Sequence, residues 1–242
     1  MDLNKQLIEK HNLNPTGVIV IGGWEGLEYD LLISNGFKDI VYIEPQKEVF
    51  KRLKEKAIGC TCLNCALGAT NKWMVMFTET DNQGQSSSLL KPKVHTTQYP
   101  HIKFSDREIV KMRRMDDLGL NMRKYNTLLI DTQGYEIEVL KGAETSLQYV
   151  DIIIAEWSTA ELYEGCPMWD ELTEFLRIRG FKMVDNDAMG GNWGDALYVR
   201  TGFPEEKLYQ YDLNENSTVT HDCKWNYDWV WESWTKKEDK KI

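Results

Sequence analysis

Residues 126–143 constrain the fold of this chain more than any other segment. They begin with a short apolar run whose length and branching are typical of a buried parallel strand. The run ends at Asp131, turns through Thr-Gln-Gly, and continues with Ile137, Leu140 and Ala143 at helical spacing. In open α/β sheets, ligands bind at the carboxyl ends of the central strands. The segment therefore predicts an α/β fold with Asp131 in a ligand site.

A second strand–turn–helix unit lies upstream and carries a glycine-rich turn. The apolar residues 18–21 lead into Gly22, Gly23 and Gly26, and the strand after the next helix ends at Glu44, 22 residues beyond Gly22. Glycines let a backbone approach a ligand closely. An acid at about this distance binds both hydroxyls of a ribose. The unit therefore predicts a site for a cofactor that contains a nucleoside.

The glycine spacing helps to choose among such cofactors. It is Gly-Gly-x-x-Gly, which does not match the G-x-G-x-x-G fingerprint of dinucleotide sites. Because nothing marks a pyrophosphate, the pattern disfavours NAD and favours S-adenosylmethionine (SAM), a nucleoside with an amino-acid tail. An NAD-linked or nucleotide-sugar oxidoreductase is the alternative enzyme class, since it uses a similar turn and ribose acid.

Seven short segments follow one another in a characteristic order and spacing. They are Ile-Gly-Gly-Trp-Glu-Gly (21–26), Tyr-Ile-Glu-Pro (42–45), Asn-Cys-Ala-Leu-Gly (64–68), Ser-Ser-Ser-Leu (86–89), Met-Asp-Asp-Leu (115–118), the Asp131 segment (130–143) and Ile-Ile-Ala-Glu-Trp (153–157). Together they resemble the FkbM-type SAM-dependent methyltransferases, over about residues 15–201. The resemblance implies a Rossmann-like class I methyltransferase fold, α/β, with a mostly parallel seven-stranded sheet whose last strand is antiparallel, flanking helices and a small β insertion. It also implies O-methylation of a hydroxyl on a sugar, glycan or small natural product.

Two positions depart from the pattern of that family. The first strand usually carries an acid two positions before its glycine, and here that residue is Val20. The lysine often found before the fourth-strand acid is Leu129. With Val20 in place of the acid, the amino group of SAM needs another partner. Because of these departures, a third function remains open, that of a non-catalytic binding module that has kept the fold.

The cofactor site is predicted from the strand ends together with the resemblance. We expect Glu44 to bind the ribose and the residues after the third strand to face the adenine. The predicted cofactor-binding residues are Gly22, Gly23, Gly26, Glu44, Pro45, Asn64, Ala66, Asp131 and Gln133.

Three residues are candidates for catalysis: Asp131, Glu156 and His95. A hydroxyl acceptor is a poor nucleophile while protonated, so a base should lie within hydrogen-bond reach of it. Carboxylates on adjacent strands push their pKa values apart, which gives one candidate base, or they share a divalent cation. The resemblance does not require a metal, and we predict none. The alternative role of Asp131 is to cap the helix that follows it, and the alternative role of Glu136 is to stabilise the first turn of that helix.

Composition excludes several classes of function. A net charge of −9 argues against nucleic acid as the main partner, because phosphate binding needs clustered lysine and arginine. No run approaches 18 apolar residues, so no membrane span is expected.

The absence of a secretory signal and the odd number of cysteines, five, predict a cytoplasmic protein with reduced thiols. The C-x-x-C at 62–65 lacks a nearby second ligand pair, so we expect core packing rather than zinc.

Alternating apolar strands and helices, with two of the helices predicted at 26–35 and 135–147, predict one domain over residues 1–202. Residues 72–115 interrupt this alternation and are predicted to be an insertion with strands at 73–77 and 109–113. The polar loop 79–106 within it is predicted to be a mobile lid over the pocket.

Residues 203–242 are an aromatic-rich extension. Its tryptophans are expected either to close the sheet edge or to form a platform for a sugar or for a second copy of the chain. The expected substrate is a small molecule or glycan.

Overall fold

A seven-stranded sheet organises the chain in a computed structural model that describes residues 1–189 and 191–202. These residues form ten strands: β1 (Gly17–Ile21), β2 (Asp39–Ile43), β3 (Thr61–Leu63), β4 (Ala66–Leu67), β5 (Lys72–Thr78), β6 (Asp106–Arg113), β7 (Thr127–Ile130), β8 (Ile152–Ser158), β9 (Phe181–Ala188) and β10 (Trp193–Arg200). The α-helices of the same residues are α1 (Lys5–Lys10), α2 (Tyr29–Ser34), α3 (Lys47–Lys56), α4 (Val94–Gln98), α5 (Glu136–Lys141) and α6 (Trp169–Arg177).

The strand order of the large sheet is β3-β2-β1-β7-β8-β10-β9. Neighbouring strands are parallel except for β10, which pairs antiparallel with both β8 and β9. The predicted mostly parallel sheet with the last strand antiparallel is therefore confirmed. The order reverses direction between β1 and β7, and the crevice outside the carboxyl ends of two such strands is where this kind of sheet holds ligands.

The insertion folds as a second, three-stranded sheet with the order β4-β6-β5. The strands predicted at 73–77 and 109–113 fall within β5 and β6, which pair antiparallel. Two elements of this region were not predicted, the two-residue strand β4 and the helix α4. Both are too short to leave a periodic signal in the sequence.

The central strands are apolar because both of their faces are covered, as is usual for parallel sheets. All five residues of β1 are buried. On one face, Leu32 of α2 and Leu53 of α3 pack in one cluster with Val18 and Tyr42. No helix in the described part of the chain is long and apolar enough to cross a membrane.

Two predicted helices are shorter than expected because of the backbone geometry at one of their ends. The helix predicted to begin at residue 26 begins at Tyr29, because Trp24 and Gly26 have positive φ angles of 41° and 71°. The helix predicted over 135–147 ends at Lys141. A Cβ on Gly142 would lie 2.1 Å from the carbonyl oxygen of Gly68, so the chain turns where these backbones touch.

We predict that Gly22→Ala destabilises the protein well beyond the cost of its positive φ angle. A Cβ at Gly22 (φ +79°) would lie 1.8 Å from the carbonyl oxygen of Asp131. The matched control is Gly36→Ala, with a similar φ of +85° and no atom within 4 Å of the added Cβ. The control should cost about 1–2 kcal/mol, and Gly22→Ala a further 1–3 kcal/mol or so, in urea unfolding. Equal losses would contradict the contact between the ends of β1 and β7.

Candidate active site

A cavity of about 470 Å³ opens at the carboxyl ends of β1, β2, β7 and β8. Its wall includes Gly22 and Gly23 after β1, Glu44 after β2, Asp131 after β7, and Glu156 near the end of β8. Because the carboxyl ends of parallel strands meet at one sheet edge, residues distant in sequence converge there. The cavity therefore lies where the sequence predicts a ligand site.

Glu44 is held rigidly in the cavity wall by two backbone groups. Its Oε2 accepts a hydrogen bond from the Trp24 N–H at 3.1 Å, and its Oε1 accepts one from the Gln46 N–H at 2.7 Å. The side chain is 3% exposed, and this burial raises the pKa of Glu44 to about 8. The loops after β1 and β2 are thus joined through one carboxyl group.

The glycine turn faces the cavity, and its conformation is also determined by contacts within the protein. The N–H groups of Gly22 and Gly23 both donate to the Ile43 carbonyl at 3.0 Å. A Cβ on Gly23 would lie 2.7 Å from the Tyr42 ring. Gly26 does not belong to the cavity wall, and it packs instead against the Leu53 side chain.

The predicted cofactor-binding residues after β2 and β3 divide into two roles. Pro45 and Ala66, both predicted to bind the cofactor, belong to the cavity wall together with Cys65. Asn64 lies outside that wall. Its Nδ2 donates to the carbonyl oxygens of Glu44 and Pro45 at 2.9 and 3.0 Å, so it positions the end of β2.

Gln133 links the two candidate carboxylates. Its Nε2 donates to Asp131 Oδ1 at 2.7 Å and to Glu156 Oε2 at 3.1 Å. The Tyr163 hydroxyl lies 2.8 Å from Gln133 Oε1 and donates to it, which fixes the direction of the amide. Gln133 itself has a positive φ of 54°. The turn after β7 thus aims one side chain at both acids.

The role of Tyr163 was missed by the sequence analysis. This tyrosine lies 30 positions after Gln133, in the loop between β8 and α6, and its hydroxyl also lies 2.8 Å from the Ser86 carbonyl. No motif or spacing signals such a long-range contact. Burial and the nearby acids, Glu156 first among them, raise the pKa of Tyr163 far above its ordinary value.

Burial raises the pKa of each acid of the site, and the charge of Asp131 adds to this effect at Glu136 and Glu156. Asp131 opens onto the cavity, but the protein around it removes bulk water and raises its pKa. Burial raises the pKa of Glu156 well above 4.5, and the charges of Asp131 and Glu136 add to this effect. Glu156 therefore keeps a proton at pH values where a free glutamate is ionised.

Glu136 lies outside the cavity wall and stabilises the turn after β7. Its Oε1 accepts hydrogen bonds from the Thr132 N–H, the Thr132 hydroxyl and the Gly134 N–H at 3.0–3.1 Å. Burial, followed by the charge of Asp131, raises the pKa of Glu136 to about 7. This carboxyl group holds the chain in the shape that presents Gln133.

His95 lies in the cavity wall but in a buried, aromatic setting. It belongs to α4, is 5% exposed, and its ring centroid lies 5.0–5.4 Å from those of Tyr99, Phe104 and Tyr163. Burial lowers the pKa of His95 to about 4, so the imidazole is neutral at neutral pH. Its Nδ1 has no hydrogen-bond partner among the described residues.

The segment 79–106 contributes residues to the cavity wall and is joined by hydrogen bonds to three of the loops that form it. Gln83 O accepts from Trp24 Nε1, and Gly84 O accepts from Gln46 Nε2, both at 2.9 Å. The Ser88 hydroxyl donates to the Gln133 carbonyl at 2.7 Å. Residues of this segment thus line the cavity, and its role as a mobile lid stays a prediction.

Within residues 1–189 and 191–202, no group of three or more His, Cys, Asp and Glu side chains is arranged to hold a metal ion. Cys60, Cys62, Cys65 and Cys166 are free thiols, and Cys65 is buried. The tryptophan-rich segment 225–234 lies outside the described residues.

We predict that Glu156→Gln stabilises the ligand-free protein increasingly as pH rises. Because the pKa of Glu156 is raised, the folded protein binds more protons than the unfolded chain from the ordinary value of 4.5 up to the raised one. Stability therefore falls as pH rises through that window. The advantage in Tm of the variant over the wild type should therefore grow as the pH rises above the ordinary glutamate value of 4.5.

Glu48→Gln is the control for this trend. Lys51, 2.6 Å away, lowers the pKa of Glu48, so removing that carboxylate should cost stability as pH rises, the opposite direction. A Tm difference for Glu156→Gln that stays constant across pH would contradict the raised pKa.

Comparisons with known proteins agree with this geometry. Residues 19–183 match the family described as the Methyltransferase FkbM domain. The 2-O-methyltransferase NoeI of Sinorhizobium fredii (strain NBRC 101917 / NGR234) is 33% identical over 82 residues, which are 33% of this chain and 34% of that protein. The match thus spans only about a third of the length of this curated relative.

Two solved structures show a distant similarity to this chain. Magnesium protoporphyrin IX methyltransferase (ChlM) from Synechocystis PCC 6803 with bound SAM is 13% identical, with a TM-score of 0.46, over 81% of this chain and 75% of that one. Ribosomal protein L11 methylase from Lactobacillus delbrueckii subsp. bulgaricus is 11% identical, with a TM-score of 0.46, over 80% and 74%. The family match, which covers more than half of the chain, confirms the predicted family and supports SAM as the cofactor. The protein belongs to the FkbM methyltransferase family.

Proposed function

We propose that the cavity binds SAM and that the protein methylates a hydroxyl group on a small-molecule or glycan acceptor. The observation that carries this proposal is the placement of two acidic centres in one cavity. Glu44 lies in the wall after β2, and the linked pair Asp131 and Glu156 lies at the ends of β7 and β8. One centre suits the nucleoside and the other suits the reacting groups.

The residues of the cavity fit the parts of SAM. Glu44 is fixed by two backbone N–H groups and retains lone pairs for the hydroxyls of a ribose. Such hydrogen bonds favour its ionised form. Pro45, Cys65 and Ala66 give the adjoining wall an apolar surface for a flat base. When bound, SAM supplies a methyl group on a positively charged sulfur.

The backbone of the glycine turn supports SAM over a dinucleotide. Dinucleotide sites present free backbone N–H groups to a pyrophosphate. Here the N–H groups of Gly22 and Gly23 donate to Ile43, and that of Trp24 donates to Glu44. With three successive donors used inside the protein, the turn offers little to a diphosphate.

Glu156 is the best placed base of the three candidates. A positive charge in the cavity favours ionised carboxylates and so lowers the pKa of Glu156. The ionised group then accepts the proton of the acceptor hydroxyl, while Gln133 holds it at a fixed distance from Asp131. His95 is a weaker base, because burial disfavours its protonated form.

We predict that Glu44→Ala weakens SAM binding by about 1.5–3 kcal/mol, because a buried hydrogen-bonded pair with a charged partner is lost. Glu108→Ala is a suitable control, since Glu108 also accepts a backbone N–H, that of Lys47 at 3.0 Å, and lies outside the cavity wall. Calorimetric titration measures both variants. Unchanged affinity in Glu44→Ala would contradict the ribose assignment, and a rise in Tm with NAD but not with SAM would favour the oxidoreductase.

We further predict that Glu156→Gln lowers turnover by about 10²–10⁴-fold with little change in SAM binding, because the variant keeps the shape and loses the basic oxygen. Asp131→Asn should weaken both SAM binding and turnover, since Asp131 lies nearer the donor. The assay follows label transfer from SAM to a panel of glycans and hydroxylated metabolites. Full activity of Glu156→Gln from about pH 6 to about pH 9 would move the role of base to another group, with His95 next.

Several predictions about the whole protein are part of this proposal. They are a cytoplasmic location, the lack of a nucleic-acid partner, the division into residues 1–202 and an extension at 203–242, and self-association through the tryptophan-rich segment. Gel filtration of the full chain beside a chain ending at residue 202 tests the last two together.

A further inference from the structure

Glu28 is a carboxylate in the cavity wall that the proposed reaction does not use. It lies directly before α2, at the end of the glycine turn, and its side chain contributes to the same cavity as Glu44 and Asp131. Its Oε2 is buried and has no hydrogen-bond partner among the described residues. Buried carboxylate oxygens are normally paired, so this atom marks a place for a missing donor.

The surroundings of Glu28 favour a cationic donor. Burial raises its pKa, and the charges of Asp131 and Asp2 raise it further, while a hydrogen bond from its own backbone N–H and, more weakly, the charge of Lys56 lower it. The terminal ammonium of Met1 lies close enough for Glu28 to act on its pKa and forms an ion pair with Asp195. A cation placed between Glu28 and Asp131 would relieve the repulsion between these two acids.

We propose that Glu28 binds the α-amino group of the amino-acid tail of SAM. This assignment rests on the proposed function. Val20, which stands where the family usually has an acid, is 3% exposed and offers only methyl groups to the cavity. A primary ammonium has three donors, which suits one oxygen of Glu28 together with an acid across the cavity.

A structural role is the competing explanation for Glu28. The hydroxyl of Tyr42 is also buried without a partner, and the charge of Glu28 acts on it. A water molecule bridging these two groups would make Glu28 a support for the turn. That role would alter stability and all nucleoside binding alike, whereas the proposed role affects only ligands that carry the amine.

The test compares ligands with and without the amine by calorimetric titration. The ligands are SAM, S-adenosylhomocysteine and 5′-deoxy-5′-methylthioadenosine, a nucleoside thioether that lacks the amino-acid tail. Glu28→Gln should lower the affinity for the first two by about 10- to 100-fold and for the third by at most about twofold. Glu28→Asp, which keeps the charge and shortens its reach, should lose an intermediate amount.

Glu25→Gln is the matched control in the same turn. Glu25 pairs with Arg52 at 2.5 Å and lies outside the cavity wall, so its variant should bind all three ligands as the wild type does. Thermal unfolding of ligand-free Glu28→Gln should show a Tm no lower than that of the wild type, because the variant removes a buried like charge.

Each other outcome overturns the assignment. An equal loss for the tailless thioether would make Glu28 a support for the turn, and an unchanged affinity for S-adenosylhomocysteine would place the amine elsewhere. Failure of the wild-type protein to bind either SAM or S-adenosylhomocysteine would overturn the proposed function, and the role of Glu28 with it.

Discussion

The close approach of the ends of β1 and β7 is the constraint on which the site depends. The Asp131 N–H donates to the Ile21 carbonyl at 3.0 Å, and the Asp131 carbonyl lies where a Cβ of Gly22 would be. This contact brings the glycine turn beside the first acid of the site. Since Glu44 holds the same turn through Trp24, the ends of three strands are fixed relative to one another.

A hydrogen-bond network extends this frame to the remaining parts of the site. Gln133 follows Asp131 and reaches Glu156 on the next strand, and Tyr163 fixes the amide of Gln133 from a separate loop. The insertion joins the network through the Ser86 and Ser88 positions. The insertion and the acids of the cavity are thus parts of one hydrogen-bond network, so we expect a substitution in either to affect the other.

The sequence predicts those features that depend on local patterns. The apolar runs of β1, β2, β7 and β8, and the acids that end them, are readable because a buried parallel strand has a distinct composition. The burial of His95 and the contacts of Tyr163 were not readable, because both depend on packing between segments far apart in the chain. Gly26 and Asn64 lie outside the cavity wall for a related reason, since spacing places a residue near a site but does not say whether it faces the cavity or the protein around it.

The acids of the cavity also explain why a cationic ligand suits it. Glu28, Asp131 and Glu156 all have raised pKa values, so the ligand-free protein must either hold protons there or keep like charges close together. A ligand with positive charge removes that cost, and the gain appears as binding free energy and as added stability. Under the proposed function, a neutral nucleoside would gain only the contacts with Glu44 and the wall beside it. Glu44 follows β2, whereas Asp131 and Glu156 lie at the ends of β7 and β8, so the proposal assigns the nucleoside and the charge to different strand ends and expects substitutions to change the two kinds of recognition separately.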